Sequence, residues 1–215
     1  MMQNCMQKFH NMKHREQGFT IVELLMALAV FSFVLVLVTT VFIQIFRTYT
    51  RGITRKEVNQ SARLLLDDMS SKLKSIPSSA QVVSLPANGR LCFGGYSYVW
   101  NPVVKPVGWT DNKINGTTID TIVRIDGDIG GTVCSDLSPN ITVGTPRSLF
   151  SDRVGVQTVS ATQASQVPGV YTISVTTSTK STDLLNAANQ CKQGIVGSQF
   201  CSQITLTETI ARRNR

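Results

Sequence analysis

Histidine is confined to His10 and His14, so nothing beyond position 14 carries an imidazole. A catalytic scheme built downstream of it lacks the commonest general base and every Ser-His or Cys-His pair. Glycine is plentiful, but none of the nucleotide-binding glycine patterns occurs. The cysteines have no Cys-x-x-Cys spacing, which argues against a structural zinc site. Charged side chains make up only 16% of the chain, and from Phe19 to Ile43 they shrink to a single acidic group, Glu23. These gaps exclude the common enzyme classes. The chain is read as non-catalytic, with no cofactor and no metal site.

The apolar run itself is the strongest positive signal. Its residues, from Phe19 to Ile43, would form a helix of roughly 37 Å, enough to cross a hydrocarbon core of ~30 Å. A carboxylate in such a segment is costly, by about 2.5–3.5 kcal/mol on insertion scales, so Glu23 is read as functional and in need of a cationic partner. The bland alternative is a carboxylate near the end of a signal anchor, snorkelling to the headgroups. A secretory signal peptide fits poorly, because its apolar core is shorter and ends at a small-residue cleavage site.

The glycine at position 18, the phenylalanine after it, and a glutamate at the fifth position of a spanning helix resemble the type IV pilin and type II secretion pseudopilin families. Thr20, Ile21, Val22, Leu24 and Leu25 match the same pattern of small and branched apolar residues. The resemblance implies that a membrane-embedded prepilin peptidase cuts after Gly18 and that Phe19 becomes the N-methylated first residue. It implies that Glu23 pairs with the amine of Phe19, in the same subunit or in a neighbour, and so sets the axial register of a filament. Met1 to Gly18 is then a cleaved leader; a start at Met12 would shorten it. The charge of the flanks does not orient the helix, since Lys8, Lys13 and Arg15 precede it while Arg47, Arg51, Arg55 and Lys56 follow. The cleavage motif places the N-terminus in the cytoplasm.

Past Arg47 the pattern becomes amphipathic. Ala62, Leu65, Leu66, Met69, Leu73 and Ile76 recur on one helical face, with Arg63, Asp67, Asp68, Ser70, Lys72 and Lys74 between them as the expected solvated side. Pro77 ends the helix, and Gly52 is a candidate bend. Strands are expected at Gln81–Leu85, Leu91–Phe93, Tyr96–Trp100, Thr121–Ile125, Val154–Val159, Val170–Thr176 and Ile204–Ile210. Turns are expected at Gly94-Gly95, Asn115-Gly116 and Asp126-Gly127. A long loop with a short helix over Asp183–Asn189 should fill Thr177–Ser202. The order is helix first, then sheet, which makes the fold α+β. With the resemblance it becomes a pilin-like fold in three parts: leader 1–18, transmembrane and amphipathic helix 19–76, and a disulfide-stapled antiparallel β domain 77–215.

Cys5 lies in the leader, which leaves Cys92, Cys134, Cys191 and Cys201 in an exported domain, where two disulfides are expected. Three connectivities are open, and Cys92–Cys134 with Cys191–Cys201 is favoured. Asp126-Gly127-Asp128, with Asp120 nearby, reads as a hairpin turn in preference to a calcium loop. Arg47, Arg51 and Arg55 line one helix face that suits solvent, lipid headgroups or an acidic partner. The net charge of +8 allows contact with anionic lipid, cell-wall polymer or DNA without choosing among them. Arg212, Arg213 and Arg215 can reach phosphates, but no interleaved aromatics support a nucleic-acid site. Trp100, Trp109, Tyr96 and Tyr98 read as core or sheet-surface residues.

The function expected is that of a minor type IV pilin that primes or caps a filament with other pilin subunits. The size of the domain and a weak likeness of the basic C-terminal end to the W-type pilins and J-type pseudopilins support this. The expected location is a single pass of the cytoplasmic membrane, ectodomain outside, and then a cell-surface or periplasmic filament. The alternatives are a secretion pseudopilin and a membrane-tethered adhesin or DNA-uptake receptor.

Overall fold

The computed structural model describes residues 19–77, 79–128, 131–143, 145–165 and 167–212. Within it, α1 (Ile21–Ser75) is followed by a chain of mostly short strands: β1 (Val82–Leu85), β2 (Arg90–Phe93), β3 (Tyr96–Val99), β4 (Lys113–Ile114), β5 (Thr117–Thr118) and β6 (Val123–Asp126). After the one-turn helix α2 (Thr132–Ser135) come β7 (Asn140–Ile141), β8 (Arg147–Ser148), β9 (Val154–Gln163), β10 (Val170–Thr179) and β11 (Gln203–Ala211). The architecture is α+β and pilin-like: a long N-terminal apolar helix, antiparallel sheets and two disulfides. Backbone contacts divide the chain into two compact units, one ending at Phe46 and one beginning at Arg47.

In the first unit α1 is apolar all round and all its side chains are exposed. Among the described residues it belongs to the one helix long and apolar enough to cross a membrane. Its few hydroxyls bond its own carbonyls: Ser32 Oγ donates to Ala29 O at 2.8 Å, and Thr39 Oγ1 to Leu35 O at 2.7 Å. Polar groups satisfied within their own helix need no water, which is what a lipid environment demands.

In the second unit, the amphipathic part of α1 packs on sheet. Leu65, Leu66, Met69, Leu73 and Ile76 join Leu91, Phe93, Tyr98, Trp100, Val159, Ile173, Val175 and Ile210 in one core. The strands form a five-stranded sheet ordered β1-β2-β3-β6-β8, a three-stranded sheet β11-β10-β9, and a small ribbon β5-β4-β7 in which β4 and β7 run parallel. Ser84 of β1 accepts from Ala161 N–H of β9 at 3.0 Å, so the two larger sheets meet along those strands. The disulfides are Cys92–Cys134, which ties β2 to α2, and Cys191–Cys201, which closes the loop before β11.

All seven expected strands form, most with shifted ends. The two long ones, β9 and β10, extend well past the apolar alternation because each lengthens the other's hydrogen-bond ladder. Gly94 and Gly95 both have positive φ between β2 and β3, as do Asn115 and Gly116 between β4 and β5, the requirement of a type I′ hairpin. The helix expected at Asp183–Asn189 does not form. A 3-10 turn covers Thr182–Leu184 and Leu185 then bridges to Cys191, because the short disulfide loop turns the chain back on itself. Asp68 and Ser70 are not on a solvated face either: Ser70 is buried and donates to Glu208 at 3.3 Å. α1 runs through Gly52 as continuous helix.

Candidate functional site

Two places gather candidate functional side chains: the start of α1 and the surfaces of the β domain. Thr20 caps α1. Its Oγ1 accepts from Glu23 N–H at 3.3 Å, and its carbonyl accepts from Leu24 N–H at 3.1 Å. Thr20-Ile21-Val22-Glu23 has the spacing of a capping box, so the threonine half of that motif is made. Glu23 lies in the first helical turn, where unsatisfied N–H groups favour a negative charge. It is exposed, and Phe19, just outside the helix, is 78% exposed. Both therefore stand open to a partner. Gly18 lies outside the described residues. Thr20 as a cap was missed in reading the sequence, although threonine three residues before glutamate is the signal that finds it.

The family model described as the prokaryotic N-terminal methylation motif matches residues 13–39. The chain carries a prokaryotic methylation motif. The matched stretch contains Gly18, Phe19, Thr20 and Glu23 and ends inside the apolar run. The methylation motif marks type IV pilin and pseudopilin leaders, and it makes this chain pilin- or pseudopilin-like. It implies processing by a prepilin peptidase, anchoring by the apolar helix and assembly with pilin subunits, which are in general structural and not catalytic. No significant match to a curated protein or to a solved structure was found.

In the β domain several charged residues serve the fold. Asp68 of α1 accepts from Tyr98 Oη at 2.8 Å and pairs with Arg124 of β6, whose Nε also meets Asp126 Oδ1 at 2.8 Å. Burial first, and then the Asp68 hydrogen bond, push the Tyr98 phenol well above its usual range. The Asp126 hydrogen bond leads in raising Arg124, against its burial, with Asp68 adding to it. Helix and sheet are thus locked by an ionic contact as well as by the apolar seam.

Asp126-Gly127 does not close the expected hairpin turn. β6 pairs with β3 and β8, so no hairpin closes at Gly127. Asp126 faces Arg124, while Asp128 turns inward and accepts from Ser97 Oγ, Thr132 Oγ1 and the N–H groups of Thr132 (2.9 Å) and Val133 (3.3 Å). Burial alone would raise the Asp128 carboxyl, but the hydrogen bonds from Ser97 and Thr132 and the two amides outweigh it and hold it below the usual range. Among the described residues no group of three or more His, Cys, Asp or Glu gathers as a metal site. Arg90 was also missed: fully buried, it donates to Asn112 Oδ1 at 3.2 Å and to the carbonyls of Val133 (2.6 Å), Asp136 and Ser138. Burial lowers its pKa.

Arg212 is not free for phosphates. It is buried, its guanidinium lies 4.7 Å from the Tyr171 ring, and its backbone N–H bonds Gly169 O at 2.8 Å. Arg213 and Arg215 lie outside the described residues. Tyr98 and Trp100 are core residues, as expected. Arg51 and Arg55 are exposed and border a groove of about 610 Å³ whose other wall is the Cys191–Cys201 loop with Lys192.

Proposed function

We propose that the chain is a minor type IV pilin, a non-catalytic filament subunit that primes or caps assembly. The observation that carries this is the methylation motif placed over Gly18-Phe19 and the first turns of a long apolar helix. In this reading 1–18 is a leader, 19–76 the membrane-crossing and amphipathic helix, and 77–215 the ectodomain. Prepilin peptidase cuts after Gly18 and methylates the amine of Phe19. That amine is the cation Glu23 needs, because a lone carboxylate in hydrocarbon is expensive and a paired one is tolerable.

The chain first crosses the cytoplasmic membrane once, ectodomain outside, and is then drawn into a cell-surface or periplasmic filament. The size of the region from 77 onward supports a minor subunit. The test is Glu23→Ala. Membrane insertion should persist while incorporation into sheared filaments falls at least about tenfold, the equivalent of ~1.4 kcal/mol. Normal incorporation would end the assignment of Glu23.

A further inference from the structure

We propose that the end of the β domain built from the Cys191–Cys201 loop and the adjoining turns of α1 docks on an anionic phospholipid surface. The inference rests on the reading of α1 as a membrane anchor and adds to it a second contact. Two observations meet there. The disulfide-closed loop presents apolar side chains outward: Val196 is 100% exposed, Phe200 48% and Ile195 39%. Beside them Arg51 and Arg55 face Lys192 across the groove, and Lys192 is steadied by donating Nζ to Asp183 O at 3.0 Å.

An exposed apolar loop with Arg51, Arg55 and Lys192 on one side suits one kind of partner. A bilayer interface stacks an anionic layer of phosphates directly over an apolar one, so both parts of the surface are matched at once. Guanidinium groups bind phosphate oxygens by charge-assisted hydrogen bonds. An acidic protein segment would match the cations and leave Val196 and Ile195 in water. The sequence agrees with the placement, because Arg51 and Arg55 follow soon after the end of the apolar run at Ile43.

The full chain is reconstituted into lipid nanodiscs of phosphatidylcholine, with or without phosphatidylglycerol, containing spin-labelled lipid as quencher. A V196W reporter should be quenched about twofold or more in the anionic discs relative to the neutral ones. A V167W reporter in the β9–β10 turn, at the far end of that hairpin from the loop, should be unquenched in both. Adding R51A, R55A and K192A, all at exposed positions, should abolish the anionic excess at V196W without lowering the melting temperature. If the chain enters the discs and V196W is quenched no more in anionic than in neutral lipid, the proposal is overturned. Failure of the chain to enter either disc would overturn the anchoring on which it rests.

Discussion

Asp128 accepts four hydrogen bonds in a buried position, two from hydroxyls and two from backbone amides. Asp128→Ala leaves those donors unsatisfied and should destabilise the domain by about 2–3 kcal/mol in urea denaturation. The sign of its pH dependence follows from the lowered pKa. The carboxylate stabilises the fold above its unfolded pKa, and that contribution is lost as pH falls through the lower folded value, below about pH 4. Melting temperature followed from pH 6 to pH 2 should drop less steeply for Asp128→Asn than for the parent. Asp68→Ala strands Tyr98 Oη and leaves Arg124 held by Asp126 alone, and should cost about 2 kcal/mol by the same urea assay. An unchanged midpoint would mean that helix and sheet are held by the apolar seam alone. None of these pairings was legible along the chain, because Asp68 and Arg124, or Arg90 and Ser138, meet only after the sheets have formed.

Elements were more legible than their partners. The periodicity from Ala62 to Ile76 is local, and every apolar residue on that face is buried. Hairpins closed by Gly94-Gly95 and Asn115-Gly116 were legible for the same reason: both need positive φ, and these residues supply it. The two-residue strands β7 and β8 left no signal, and β4 and β5 none beyond the turn between them, since their pairing depends on neighbours and not on their own residues. Asp126-Gly127 misled because an Asp-Gly pair also suits a strand end that turns inward, here to cap α2. The disulfides act at this scale. Cys92 and Cys134 are 42 residues apart and Cys191 and Cys201 only 10. On the chain-entropy model their loss should cost about 4 and about 3 kcal/mol respectively. Denaturation of Cys92→Ser/Cys134→Ser against Cys191→Ser/Cys201→Ser checks the order; a larger loss from the second pair would contradict it.

For the whole molecule, the decisive information lies in a short stretch near the N-terminus. The methylation motif was legible from Gly18, Phe19 and Glu23 because a Gly-Phe step, a costly carboxylate and a long apolar helix fall within one local pattern. Thr20 adds the physical detail that the helix starts capped at Ile21, with Glu23 in its first turn and Phe19 just outside. In the β domain Arg90, Arg124 and Asp128 are taken up by the fold, while the cations beside the Cys191–Cys201 loop face outward. In the proposed filament subunit the amine of Phe19 exists only after cleavage. Mass spectrometry of the N-terminal peptide, from the native chain expressed with its prepilin peptidase, is the most direct test. It should begin at Phe19 and be heavier by one methyl group on the α-amine. An intact Gly18–Phe19 bond, or a first residue other than Phe19, would contradict the account.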